Sequence, residues 1–250
     1  TFASYFAPVG SPMFIIRQPE ARTKPAIPAG QNLRHYRTVF LGPKFQARRD
    51  DYNSVPLDFC QYKLNNSEWS TRLEIWQAQR QIRDKLGLRQ VFMNGGVQRW
   101  KWLPQQKEVN AELELKLTFN VKDVPTKPVY FIVESAEWFE IIFNGAPVAN
   151  QPAGWWIDRE FDKITLSGIK SGENEIILKC RYKDFMELED CYLAGDFAVD
   201  HLNQEIINEP ETIYTGDWTK QGYPFYSGSI SYETELTYQG KAQDAGQSPH

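Results

Sequence analysis

Ala111-Glu112-Leu113-Glu114-Leu115-Lys116-Leu117-Thr118-Phe119 alternates apolar and polar residues without a break. Successive side chains of an extended chain point to opposite faces. Leu113, Leu115, Leu117 and Phe119 therefore share one face, and Glu112, Glu114, Lys116 and Thr118 share the other. Such a stretch is a strand with one side on a core and the other in water. Outward from it, similar runs predict strands at 54–64, 128–134, 138–143, 161–166, 174–182, 191–199 and 229–238. Asn144-Gly145, directly after Phe139-Glu140-Ile141-Ile142-Phe143, is a tight hairpin signal. Short strands at this spacing, divided by Pro, Gly and Asn turns, indicate a mainly all-β fold, a β-sandwich of jelly-roll type.

One helix interrupts the pattern near 71–87. Thr71 and Glu74 have capping-box spacing, and Ile75, Ala78, Gln79, Ile82 and Leu86 repeat at helical intervals up to Gly87. Arg72, Arg80, Arg83 and Lys85 are expected to form its outer, solvated face. Residues 1–50 read as an extended arm, since Pro8, Pro12, Pro19, Pro25, Pro28 and Pro43 stop any long element; short strands are expected near 13–17 and 36–41. Residues 51–250 read as the sandwich. Within it, Trp218 followed by 229–238 echoes Trp100-Lys101-Trp102 followed by 111–119. The segment 210–250 either closes the sandwich or begins a second one.

Composition narrows the function classes. The 250 residues carry 28 Lys and Arg against 32 Asp and Glu, a net charge of −4, which lacks the basic excess of a nucleic-acid surface. No apolar run reaches the roughly 18 residues of a transmembrane helix. The start, Thr1-Phe2-Ala3-Ser4-Tyr5-Phe6, has neither Met nor a signal-peptide pattern. The chain is expected to be a piece of a longer polypeptide, with a self-sufficient domain as the alternative. Cys60, Cys180 and Cys191 read as buried thiols, with a Cys180–Cys191 bridge open if a hairpin brings them together. They are not closely paired, and His35, His201 and His250 are scattered, so no metal site or cofactor is expected.

The stretch 139–235 resembles the sugar-binding, galactose-binding-like jelly-roll domains of large bacterial glycoside hydrolases. The resemblance rests on Phe143-Asn144-Gly145, Gly154-Trp155-Trp156-Ile157-Asp158 and Lys170-Ser171-Gly172-Glu173-Asn174-Glu175-Ile176. Leu193-Ala194-Gly195-Asp196-Phe197 and Gln221-Gly222-Tyr223-Pro224-Phe225-Tyr226-Ser227-Gly228 continue it, and Asn53-Ser54-Val55-Pro56-Leu57-Asp58 is similar to the segment leading into such domains. The resemblance implies a non-catalytic accessory domain that binds carbohydrate or braces a catalytic domain. Its partners would be a glycan and the catalytic domain of a secreted or periplasmic parent, with no nucleic acid and no membrane.

Indoles stack on pyranose faces while amides and carboxylates bind hydroxyls. The candidate carbohydrate-binding residues are accordingly Trp155, Trp156 and Asp158, with Trp218, Tyr223 and Tyr226 as a second group. On a strand, one of the adjacent Trp155 and Trp156 would enter the core and the other stay exposed. The rival reading is a small polysaccharide-active enzyme. Glu187 and Glu189, at i and i+2 of a strand, would stand ~6.5–7 Å apart, inside the range of an inverting glycosidase pair. Asp158, Glu160 and Asp162 are a weaker version of the same pattern. Neither group lies in a recognised catalytic motif, and no catalytic residue is assigned.

Overall fold

The computed structural model describes residues 42–90, 104 and 106–235. The arm over 1–41, Trp100 to Trp102 and the chain from 236 onward lie outside them. Strands β1 (Lys44–Arg49), β2 (Asn53–Leu57), β3 (Phe59–Leu64) and β4 (Leu73–Glu74) precede helix α1 (Ile75–Lys85). Then come β5 (Ala111–Val121), β6 (Val129–Glu134), β7 (Glu140–Phe143), β8 (Ala146–Val148), β9 (Trp155–Trp156) and β10 (Asp158–Leu166). The last six are β11 (Gly172–Tyr182), β12 (Cys191–Gly195), β13 (Ala198–Val199), β14 (Ile206–Ile207), β15 (Ile213–Tyr214) and β16 (Ile230–Glu233).

The fold is a two-sheet sandwich. One sheet runs β2-β12-β6-β10-β9; the other runs β13-β14-β5-β11-β7-β8, with β3 on β5 and β4 on β3. From β5 to β14 the chain passes repeatedly from one sheet to the other, which is the path of a jelly roll. The predicted inner face of β5 is the observed one: Leu113, Leu115, Leu117 and Phe119 are buried against Phe131, Ile164 and Leu193 of the opposite sheet. On the outer face, Glu114 pairs with Lys63 and Lys179 at 4.0 and 3.6 Å, and Lys116 with Glu175 at 3.5 Å. These cross-strand pairs add a few tenths to about 1 kcal/mol each and fix the register more than the stability.

Two segments of the sequence signature interlock. Asn144 and Gly145 adopt φ 48° and 81° in the turn joining β7 to β8, where Asn tolerates and Gly readily takes the left-handed region. The Asn144 amide donates to Asn174 Oδ1 at 2.9 Å, and its own Oδ1 accepts from Glu175 N at 3.1 Å. Asn174 is fully buried; its amide donates to Lys170 O and Gly172 O at 2.7 and 3.0 Å. One asparagine thus shapes the loop before β11 and ties it to the neighbouring hairpin.

Two expectations are corrected, the start of the helix and the place of Arg83. Helix α1 begins at Ile75 rather than Thr71, because Leu73 and Glu74 pair with Cys60 and Phe59; Glu74 is the N-cap, without a side-chain capping bond. Arg83 is not on a solvated face. It is 1% exposed, its Nη2 lies 2.5 Å from Asp184 Oδ1, and Nη1 donates to Tyr182 Oη and Asp184 O. Of the predicted inner stripe, Ile75, Ala78, Gln79 and Ile82 are buried and Leu86 is half-buried. The three cysteines are free thiols, as expected, and the bridge left open between Cys180 and Cys191 does not form, because β11 and β12 belong to different sheets and make no hairpin. Burial pushes the Cys60 and Cys180 thiols up to about 12 and raises that of Cys191 as well.

A third, small sheet, β15-β1-β16, unites chain from both sides of the sandwich. Residues 44–49, expected to be irregular, are its central strand: Lys44 and Phe45 pair with β15, and Gln46 to Arg49 with β16. The predicted strand at 229–238 is seen over Ile230–Glu233 and pairs with β1 rather than with a sandwich strand. A polar clasp joins this sheet to the sandwich. The Arg49 guanidinium reaches Glu209 Oε1 at 2.7 Å, Asp196 Oδ1 at 2.9 Å and Asp51 O at 2.6 Å. It also lies over the Tyr223 and Tyr226 rings, 5.5 and 5.7 Å from their centroids. Asn53, fully buried, donates to Phe197 O and Gly222 O at 3.0 and 3.1 Å.

Candidate functional site

The two indoles that lead the sequence argument sit on a distorted sheet edge. Gly154 (φ 112°) opens the turn into β9, and Ile157 (φ 67°) reverses the chain into β10. Trp156 pairs with Asp158 and Trp155 with Asp162, so the residues between them bulge out of register. A β-branched residue at positive φ carries strain of about 1–3 kcal/mol, and such strain concentrates where a surface is shaped for a task. Ile157 is 70% exposed and Trp155 54%. Neither indole enters the core. Trp156 lies against the outer face of the five-stranded sheet, edge-on to Tyr192 with ring centroids 6.2 Å apart. Phe161 meets the same Tyr192 at 6.0 Å. Tyr52 and Tyr130 form a second aromatic pair at 5.5 Å, with the Lys163 ammonium over both rings.

Trp156 and Tyr226, from the two separate candidate groups, line one cleft of about 320 Å³ between the sandwich and the segment that leads into β16. Ile157, Tyr192 and Phe225 add apolar and aromatic surface, and Asp51, Ser54 and Ser227 add polar groups. Asp51 Oδ1 accepts from Tyr52 N at 2.7 Å and from Trp156 Nε1 at 3.2 Å, which orients both the carboxylate and the indole. Oδ2 of Asp51 has no bonding partner among the described residues. Tyr226 is held from behind: its hydroxyl lies 2.6 Å from Asp50 Oδ1 and 2.8 Å from Ser229 O. Burial first, then the Asp50 carboxylate, pushes that hydroxyl up to about 12. The Tyr226 hydroxyl and Ser229 N in turn hold the Asp50 carboxyl below its ordinary value. Gly228 completes this wall, since a Cβ there would fall 2.6 Å from Asp50 Oδ1 and against the Tyr226 hydroxyl.

The other candidates lie elsewhere. Tyr223 is 2% exposed and bonds Glu209 Oε1 at 3.3 Å, so it offers no ring face to a ligand. Trp218 packs edge-on against Tyr226 at 6.2 Å, behind the cleft. Asp158 is exposed and accepts from Glu160 N within its own turn at 3.1 Å. Glu187 and Glu189 fall in an irregular segment before β12 rather than on a strand. With Glu134 they line a crevice of about 10 Å³, which is the scale of one water and not of a sugar ring. Among the described residues no group of His, Cys, Asp and Glu is placed to hold a metal ion.

A second groove, about 360 Å³, runs between the β7–β8 hairpin and β10. Its lining of Ala146, Pro147, Val148, Gln151 and Thr165 has no charged group, and its one ring, Phe143, is buried. Of these two clefts, it is the Asp51 cleft that combines ring faces with an aimed carboxylate. Tyr192, Phe225 and Asp51 were not singled out from sequence; the alternation around Tyr192 marks it as outward-facing, but nothing local marks it as part of a site. No protein-family model and no curated protein sequence matches this chain.

Proposed function

We propose that this chain is a carbohydrate-binding accessory domain of a bacterial glycoside hydrolase, holding a pyranose unit of a glycan in the Asp51 cleft. The observation that carries the reading is the meeting of Trp156 and Tyr226, with Phe225 and Asp51, around about 320 Å³. That volume sits at the lower end of small-molecule sites. Ring faces there would cover the C–H face of a sugar, and Asp51 Oδ2 and the Ser54 and Ser227 hydroxyls would meet its edge. The assignment to a glycoside hydrolase rests on the resemblance in the Asn144, Trp155-Trp156 and Asn174 segments.

The Asn144–Asn174 interlock favours a second reading, a brace for a catalytic domain, because it accounts for much of that resemblance by architecture alone. Glycan-array binding separates the two. The intact chain is expected to bind at least one oligosaccharide class, and Trp156→Ala to abolish that binding while leaving the melting temperature within a few degrees. An array on which the folded chain binds nothing would overturn carbohydrate recognition and leave the brace.

A further inference from the structure

We infer that the Asp51 cleft selects uncharged glycans and rejects uronate-bearing or sulfated ones; this rests on the carbohydrate-binding reading above. Asp51 contributes the one charge among the residues that line the cleft. Its Oδ1 is fixed by Tyr52 N and Trp156 Nε1, so the carboxylate cannot swing away from an approaching anion without giving up both bonds. Oδ2 is left as an acceptor, the partner that sugar hydroxyls supply and a carboxylate or sulfate does not. The adjacent Asp50 adds a second negative charge behind the wall, held by Tyr226 and Ser229.

The nearby cations do not reverse this. Arg49 is 6% exposed at its side chain and is committed to Glu209 and Asp196. Lys163 stands over the rings of Tyr52 and Tyr130 and is not part of the lining. Lys127 lies 3.3 Å from Asp196. An anionic sugar in the cleft would thus meet Asp51 at short range, with no cation among the residues that line the cleft. Repulsion of that kind discriminates by exclusion, a common way to build specificity.

The inference is tested by measuring affinities of the full chain for matched pairs. Galacto-oligosaccharides are compared with oligogalacturonates, and xylo-oligosaccharides with their glucuronate-substituted forms, at about 20 and 200 mM salt. In whichever pair binds, the neutral member is expected to bind at least about tenfold tighter at low salt, with the ratio shrinking at high salt as screening grows. Asp51→Asn keeps an oxygen for Tyr52 N and Trp156 Nε1. Its expected effect is to bring the neutral-to-anionic ratio down to about threefold or less, whatever change it makes in neutral binding. Equal or tighter binding of the anionic member, or a ratio unchanged in Asp51→Asn and by salt, overturns the selectivity while carbohydrate recognition stands. Binding of neither member in any pair overturns both.

Discussion

The sandwich and the small sheet β15-β1-β16 are held together by different physics. The sandwich has a continuous apolar core, with Leu117, Phe131, Ile164, Ile176 and Leu193 all fully buried. Among the described residues, the small sheet and the segment leading into β16 bury just Ile213, Tyr223 and Tyr226 as a core of their own; Arg49 and Asn53 join this part to the sandwich, and Asp50 ties β1 to the segment before β16. A core of that size cannot offset the ordering of its chain. The small sheet therefore depends on the sandwich, and the dependence is written in polar contacts. The candidate cleft lies across this junction, with Trp156 and Tyr192 from the sandwich and Phe225 and Tyr226 from the other side. Its shape is only as firm as the clasp.

Breaking the sandwich should break everything. Phe131, fully buried at the centre of β6, is the strongest lever. Phe131→Ala removes most of its burial and leaves a cavity, for an expected loss of about 3–5 kcal/mol. Chemical denaturation should show one transition shifted to lower denaturant, with tryptophan fluorescence and far-UV circular dichroism moving together. Retention of the small sheet after the sandwich melts would refute its dependence.

Breaking the clasp should do the opposite. Arg49→Met keeps apolar length against Tyr223 and Tyr226 but removes the charged hydrogen bonds to Glu209 and Asp196. Such bonds contribute about 1.5–3 kcal/mol each, and the two carboxylates, about a third exposed, can regain water. A net loss of roughly 2–3 kcal/mol is expected, confined to the docking of the small sheet. Hydrogen exchange should accelerate in β1, β15 and β16 and stay unchanged in β5, β6 and β11. Uniform acceleration would show that the two regions unfold as one unit.

A third substitution probes the sandwich without touching its core. A Cβ at Gly145 would meet nothing within 4 Å, so Gly145→Val tests backbone conformation alone at φ 81°. The expected cost is about 1–2 kcal/mol. It should appear in the denaturation midpoint with the clasp's exchange rates unaltered; an unchanged midpoint would mean that the β7–β8 turn adds no strain.

Legibility in sequence follows the same division. β5 could be read from its alternation, because the pattern of a half-buried strand is local. Asn144-Gly145 could be read as a turn for the same reason. The role of Asn174 could not, since its partners are set by the folding of the loop against the β7–β8 turn. Arg83 shows the limit of periodicity: helical spacing placed it among basic surface residues, but Asp184, a hundred positions away, draws it inside. Strand β1 has only Phe45 and Ala47 as apolar residues and gains its form from β15 and β16, so no local signal announces it. The cleft was half legible. Trp156 and Tyr226 were chosen for their residue type, whereas Asp51 lies in a connector whose position depends on three different segments.

The finest test of the comparison is pH. At acid pH the small sheet should respond through Asp50, whereas at alkaline pH both regions respond, the small sheet through Tyr226 and the sandwich core through its buried Cys60 and Cys180 thiols. The Asp50 carboxyl is depressed below its ordinary 3.8, chiefly by the Tyr226 hydroxyl and then by Ser229 N. A carboxyl with a lowered folded value adds stability that is complete above the ordinary value and is lost as pH falls through the folded one. Acid loosening should therefore begin below about pH 3.8. Tyr226 works from the other end. Its folded value is raised from 10.0 to about 12, so its contribution is intact below pH 10 and lost as pH rises toward 12. The hydrogen bond between them should thus hold on a plateau between these limits, and exchange of the Asp50 and Ser229 amides reads it directly, because Ser229 N donates to Asp50 Oδ1 at 2.8 Å and Asp50 N to Ser229 O at 3.2 Å. In Asp50→Asn the acid step should vanish, with those amides already faster at neutral pH. If the native amides stay equally protected at pH 2.5, or if Asp50→Asn retains the acid step, the small sheet does not depend on this carboxylate and the division between an apolar sandwich and a small sheet held by polar contacts loses its sharpest support.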